Sequence, residues 1–262
     1  MKHEIDSHLP GNFPWQVHWY DTIDSTNTQA KLLAQQDAPH GTVLVAGQQT
    51  AGRGRMGRTF SSPPGLGLYL SVILRPDCTA RELMHLTCAA GVAACDAVAA
   101  VTGYRPGIKW INDLVAENKK LGGILTELSV EATGLVSYAV IGIGINCNHA
   151  PEDFPAELQD IAISLKTVTG HSWSVAQLAA ALITQLHPLD KQLLTDRDIV
   201  MAAYRESCVT LGRQVRVLGN ESKTATALDV DEDGGLLVRY DDSTTATVSS
   251  GEVSVRGLFG YL

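Results

Sequence analysis

Apolar residues in the first part of the chain come in short bursts bounded by turn residues. Val17 to Tyr20 reads as a first strand, and GTVLVAG (41–47) as a continuous apolar run typical of a strand buried on both faces. In GLYLSVILR (67–75), Leu68, Leu70, Val72 and Leu74 fall on one face with period two, which predicts another strand. Between the first two lies DSTNTQAKLLAQQ, where Thr26 and Gln29 have capping-box spacing and predict a helix start. Thr79 and Glu82 repeat that spacing ahead of a long alanine-rich helix that should end before Gly103. PGIKWINDL and KKLGGILTELSV read as two β segments joined tightly at Glu117-Asn118-Lys119, and GLVSYAVIGIGINC (134–147) as a very apolar strand.

From Pro151 the pattern turns helical, with segments around Ile161 to Thr167, Ser174 to Leu194 and Asp198 to Leu211. His187-Pro188 should kink or end the middle one, because proline removes an N–H and crowds the preceding turn. Gly212 closes the helical part. Residues 213–262 are strand-like throughout, with turns at Gly219-Asn220, Asp233-Gly234-Gly235 and Asp241-Asp242, and fit a small β-barrel. The pattern predicts an α+β chain in two domains, 1–212 and 213–262.

Composition narrows the function classes. With 262 residues, 45% apolar and 18% charged, the chain can bury a sizeable core. Its net charge is −8, distributed as −5 before residue 213 and −3 after it, so neither part is a basic nucleic-acid module. Five cysteines (Cys78, Cys88, Cys95, Cys147, Cys208) form no CxxC pair and read as reduced thiols. No leader-like apolar core stands at the N-terminus and no run of about 18 uninterrupted apolar residues occurs later. These features predict a cytoplasmic protein that binds neither nucleic acid nor membrane.

Against that acidic background QQTAGRGRMGRTF (48–60) stands out. Arg53, Arg55 and Arg58 alternate with Gly52, Gly54 and Gly57 directly after an apolar strand. Arginine offers rigid, permanently charged forks for phosphate or carboxylate oxygens, and the glycines let the backbone come close to a ligand. The loop is either an anion clamp or a solvated basic segment. Gly52-x-Gly54-x-x-Gly57 has dinucleotide-fingerprint spacing, but a strand rather than a helix follows it, so that reading is rejected; no GK[ST] phosphate loop is present. Ser25, Thr26 and Asn27 at a helix start are either caps or ligand contacts. Lys120 beside Leu121-Gly122-Gly123 can reach a ligand, whereas Lys119 reads as a solvated hairpin lysine.

In order, DSTNTQAK, GQQTAGRGRMGRTFSSPPG, KWINDL, KKLGGIL with Glu127, and IGIGINCN resemble the biotin protein ligases. The resemblance spans about Asp24 to Asn148 and implies a mixed central β-sheet with packed helices, a class II synthetase-like core, followed by an SH3-like β-barrel. It implies the ligase-only form, without an N-terminal DNA-binding domain. It also implies a reaction: biotin and ATP, with Mg²⁺, give biotinyl-5′-AMP, and a lysine of a carboxylase biotin carrier domain then accepts biotin. Residue by residue, it implies that Ser25, Thr26, Asn27, Gln48 and Gly52 contact biotin, together with Arg53, Gly54, Arg55 and Lys120. The implied catalytic groups are Lys120, Arg53 and Arg55. Those near the nucleotide are Arg55, Arg58, Phe60, Lys109, Asn112, Asp113 and Asn146, with no side chain assigned to metal. Trp110 reads as core. Ile111 stands where the family usually has proline, which removes a rigid turn element but no reacting group.

A lipoate or octanoate protein ligase, with the same core and the same adenylation logic, is the alternative. A nucleic-acid binder using the arginine–glycine loop is disfavoured by the charge of −8, and a biotin sensor without activity by the retention of Arg55 and Lys120. A homodimer is compatible with the sequence.

Overall fold

The structure is a computed structural model that describes residues 1–218, 222–249 and 254–257. A helix that the hydrophobic pattern did not announce comes first, α1 (Lys2–His8), anchored by buried Ile5. Next come β1 (Gln16–Tyr20), α2 (Thr26–Gln35), β2 (Thr42–Ala46), β3 (Gly67–Leu74) and α3 (Leu86–Thr102). The strands β4 (Gly107–Lys109), β5 (Asp113–Ala116), β6 (Lys119–Val130) and β7 (Val136–Asn146) follow. Four helices lead onward: α4 (Leu165–Thr169), α5 (Val175–Leu186), α6 (Leu189–Thr195) and α7 (Arg197–Ser207). The last strands are β8 (Gln214–Leu218), β9 (Ser222–Val230), β10 (Leu236–Tyr240), β11 (Thr245–Val248) and β12 (Ser254–Gly257).

Seven strands form one mixed sheet in the order β1-β2-β3-β7-β6-β5-β4, parallel only between β1 and β2. Strand alternation sorts its side chains onto two faces. Val43, Val45, Leu68, Leu70, Val72, Ile141, Ile143 and Ile145 form one core with α3 and α5. Leu44, Ile73, Tyr138 and Val140 pack on the other face against Ala30 and Ala34 of α2. The predicted apolar face of β3 exists, and the opposite face is buried as well, because α2 and the candidate site cover it.

Local signals account for most element ends, with three corrections. The cap of α2 is Ser25, whose Oγ accepts from Thr28 N–H (3.5 Å); Gln29 instead donates to Asp24, so Thr26-x-x-Gln29 is no capping box. Glu82 does accept from Thr79 N–H and Oγ, but this closes a 3₁₀ turn (Ala80–Leu83), and α3 begins only at Leu86. PGIKWINDL divides into β4 and β5, and its Trp110–Ile111 peptide is cis. The tight turn between β5 and β6 is as predicted: Glu117 and Asn118 both take positive φ (48° and 61°). Pro188 separates α5 from α6. Ala80–Thr102 is long and apolar enough to cross a membrane by composition, yet it is mostly buried here, and its helix α3 packs against α5 and α7.

The five-stranded antiparallel sheet runs β11-β10-β9-β8-β12, so the last strand returns to β8 as in a small SH3-like barrel. The predicted Gly219-Asn220 turn lies outside the described residues. This sheet is tied to the larger one by specific bonds. Trp110 donates its indole N–H to Gly234 O (2.9 Å) and its backbone N–H to Thr210 Oγ1 (2.9 Å). Arg205 donates to Val230 O (2.7 Å), and Arg197 pairs with Asp233. Trp110→Phe leaves the Gly234 carbonyl unpaired and removes part of a buried ring, so urea unfolding should show a loss of about 3 kcal/mol with an unchanged denaturant slope.

Candidate active site

Glycines interrupt the side chains at the centre of the mixed sheet on its α2 face. Register aligns Asp113, Gly123, Gly144 and Tyr69 in one row, and Leu125, Gly142 and Ser71 in the next. Three of these positions are glycine, and other elements fill the space. A Cβ on Gly142 would lie 1.8 Å from Asn27 Oδ1, one on Gly144 2.6 Å from the Phe60 ring, and one on Gly123 3.4 Å from Lys120 Nζ. Glycine is required at 142 and 144 by close approach rather than by backbone conformation. The result is a cavity of about 880 Å³ floored by the sheet.

At one end the walls are neutral and polar. Thr26 donates its backbone N–H and hydroxyl to Gln49 Oε1 (2.9 and 3.1 Å), and Gln49 Nε2 donates to Ser62 Oγ (2.8 Å). Ser71 Oγ donates to Asn27 Oδ1 (2.6 Å) and lies 2.8 Å from Thr26 Oγ1. Asn27 Nδ2 donates to Leu125 O and Glu127 Oε2 (3.2 and 3.0 Å). Ser25, Thr26 and Asn27 therefore both shape the start of α2 and line the cavity.

Charge accumulates on the rest of the wall, beginning with Arg53 beside Glu127. Among the described residues Arg53, Arg55, Arg58, Lys109, Lys120 and Arg216 line the cavity against two carboxylates, Asp113 and Asp160. This is a positive cavity in a protein of charge −8, a setting for an anionic ligand. Lys120 Nζ sits 2.5 Å from Asp113 Oδ1. Its backbone is clamped by Ile161 O and Ile163 N–H, which brings the wall segment around Asp160 to Ala162 onto β6. Arg55 donates to Asn112 Oδ1 (3.1 Å), and Asn112 Nδ2 donates to Ile124 O. Burial lowers the proton affinity of Arg55, an effect that Asp113 partly opposes. The arginine loop folds back on itself through Gly54 N–H to Arg58 O (2.7 Å) and a 3₁₀ turn at Arg55–Gly57. Phe60 packs on Gly144 and meets Tyr69 edge to face, and Asn146 is buried with Nδ2 donating to Ile163 O.

The chain matches the biotin/lipoate A/B protein ligase family over residues 19–146 and the biotin protein ligase C-terminal domain over 210–256. It is 36% identical over 226 residues to the bifunctional ligase/repressor BirA of Bacillus subtilis, covering 86% of this chain and 69% of that protein. It is 33% identical over 243 residues to the biotin–[acetyl-CoA-carboxylase] ligase of Mycobacterium tuberculosis, with 89% and 87% covered. The chain belongs to the biotin protein ligase family. Among solved structures, the Aquifex aeolicus biotin protein ligase in complex with biotin and ATP superposes with a TM-score of 0.79 at 28% identity, covering 94% of this chain and all of that one.

With the family established, two expected biotin contacts need correction. Gln48 does not line the cavity: its side chain accepts from Thr22 on the outer side (3.4 Å), while the neighbouring Gln49 reaches inward to Thr26. Two adjacent glutamines after a strand point opposite ways, and only the packing of α2 selects the inner one. Gly52 is also absent from the wall. Its carbonyl accepts from Phe60 N–H (2.9 Å) and a Cβ there would strike Phe60 O, so it braces the base of the loop. All the other expected site residues converge on the cavity. Sequence reading missed Gln49, Asp160 and Phe154 on the wall, and Ser71, fully buried behind Asn27. It also missed Arg216 and Leu218, which the smaller sheet brings to the cavity. Outward alternation along β8 is the only local signal for Arg216, since its destination depends on how the two sheets dock.

His149 is buried beside this wall and stacks flat on Phe154 (centroids 4.7 Å apart, 7° between planes). Burial, opposed weakly by Asp153, holds its pKa at about 4. The unfolded chain binds that proton near the ordinary value of about 6.5, so stability is complete above that pH and falls as the pH drops toward 4. His149→Leu carries no titrating group, so its loss of unfolding free energy between pH 7 and pH 5, read by urea titration, should be smaller than wild type by about 2 kcal/mol.

Proposed function

We propose that the chain is an ATP-dependent biotin protein ligase. It forms biotinyl-5′-AMP and transfers biotin to a lysine of a carboxylase biotin carrier domain. The carrying observation is the mixed lining of one cavity: neutral hydrogen-bonding groups at Thr26, Asn27 and Gln49, and six cationic side chains, of which Lys120 and Arg55 gather at Asp113 and Asn112. A ureido ring needs neutral donors and acceptors, whereas a carboxylate meeting a triphosphate needs positive charge. The M. tuberculosis relative, named for its carboxylase substrate, and the A. aeolicus structure with biotin and ATP support biotin over lipoate.

In this reading a biotin carboxylate oxygen attacks the α-phosphorus of ATP, the bond to the bridging oxygen breaks and pyrophosphate leaves. Lys120 is the main catalytic group, placed to neutralise both the carboxylate and the α-phosphate; Asp113 orients its ammonium. Arg53 and Arg55 with Gly54 close over the mixed anhydride. Arg58, Lys109, Asn112 and Asn146 face the nucleotide, and the Phe60 ring offers a stacking surface for its base. The carrier lysine amine then attacks the acyl carbon and AMP departs.

Mg²⁺ belongs to the nucleotide in this reading. Among the described residues no three His, Cys, Asp or Glu side chains gather as a metal site, and Asp113 is engaged by Lys120. Phosphate oxygens would therefore supply most of the metal's ligands, with Asp160 the carboxylate left on the wall. The two-domain division at residue 212 is supported by the placement of the seven-stranded sheet before it and the five-stranded sheet after it. A cytoplasmic location is supported by five buried cysteines, all free.

Pyrophosphate exchange with ATP, run with biotin against lipoate, tests the assignment; exchange with lipoate alone would refute it. Lys120→Ala should fold normally and lose adenylate formation by at least about 100-fold, the usual effect of removing one well-placed electrostatic donor. Arg55→Gly should let the adenylate escape, so that biotin appears on lysines of bystander proteins; bystander labelling no higher than wild type would show that Arg55 does not retain it.

A further inference from the structure

Glu127 is not on the cavity wall, yet its carboxylate collects donors from three side chains of two separate elements. On β6 it stands opposite Val140 of β7, on the same sheet face as Gly123 and Leu125. Oε1 lies 2.7 Å from Lys31 Nζ of α2 and 3.4 Å from the Arg53 guanidinium of the arginine loop. Oε2 accepts from Asn27 Nδ2 (3.0 Å). Its side chain is only 21% exposed. Burial pushes the Glu127 carboxyl upward, but the bonds from Lys31 and Asn27 and the charges of Lys31 and Arg53 outweigh it and hold the group below the ordinary range. It is therefore a carboxylate at neutral pH.

Two consequences follow from the geometry. Because Glu127 and Leu125 O take both hydrogens of the Asn27 amide, the Asn27 oxygen must face Ser71 and the bare surface at Gly142. The amide cannot flip without placing its oxygen against a carboxylate. The same carboxylate attracts Arg53, the first cation of the loop. We propose that Glu127 is a positioning residue that couples α2 to the arginine loop, setting the orientation of the Asn27 amide and holding the loop closed through Arg53. The proposal rests on the biotin ligase reading.

Two substitutions separate the two roles in the full-length chain. Glu127→Gln keeps the side-chain length and one acceptor oxygen but removes the charge that Arg53 senses, and should raise bystander biotinylation several-fold. Glu127→Ala also removes the acceptor for Asn27. In pyrophosphate exchange it should raise the KM for biotin about tenfold, the usual effect of losing a charge-assisted bond, with a much smaller change in the KM for ATP. A general loosening of the fold would raise both KM values together and would refute the proposal. If Glu127→Ala fails to fold in a thermal melt, Glu127→Gln decides: bystander labelling above wild type supports the coupling, and wild-type labelling overturns it. Absence of biotin-dependent exchange in the wild type overturns the functional reading and the proposal with it. Wild-type exchange, with folded Glu127→Ala unchanged in its biotin KM, overturns the proposal alone.

Discussion

A sheet buried on both faces normally fills its centre with branched side chains, and here it does not. On the α2 face Gly123, Gly142 and Gly144 leave a bare strip. Burying that strip without filling it would cost packing energy. The chain instead covers it with side chains carried by neighbouring segments: Asn27 over Gly142, Phe60 over Gly144, and Lys120 with Asp113 beside Gly123. Each intruding group is polar, aromatic or charged, so the solution to a packing problem is also the lining of a site. A single methyl group at residue 142 would collide with the Asn27 amide, which ties the geometry of α2 to a position far away in the chain.

Electrostatics divides this lining into two ends. The end beside α2 is closed by neutral groups that satisfy one another, Thr26 with Gln49 and Ser71 with Asn27. Away from it Lys120 and Arg55 gather at Asp113 and Asn112, while Arg53 stays beside it at Glu127, and the wall also receives cations from β4 and from β8 of the smaller sheet. Clustered like charges repel, and the cluster survives because Asp113 pairs with Lys120, Glu127 with Arg53, and Asn112 accepts from Arg55. These partners leave the cations ordered but not neutralised as a set. An anionic substrate then meets a preorganised field rather than one that must be assembled during reaction.

The second sheet contributes more than an appendage would. Trp110 reaches from the start of the β4–β5 connection into the turn at Gly234, and Arg205 and Arg197 bond that turn region from α7. Arg216 at the cavity edge owes its place to this docking. The wall of the cavity is therefore shared between both parts of the chain.

Local physics explains which features the sequence by itself determined. The strands with period two, the Pro188 break, the Glu117-Asn118 turn and the arginine–glycine loop all depend on contacts within a few residues. The ordered motifs identified the family and pointed to residues most of which line the cavity. Tertiary structure alone decided which of two adjacent glutamines faces inward, because the choice depends on hydrogen bonds to Thr26 and Ser62 rather than on propensity. It moved Gly52 from ligand contact to loop brace and gave the α2 cap to Ser25, since Thr26 is drawn to Gln49. It also revealed Ser71, Arg216 and the convergence on Glu127, which bonds Asn27 across 100 positions of sequence and also draws in Arg53. Contacts of that span arise from strand register and sheet docking, and no local pattern along the chain encodes them.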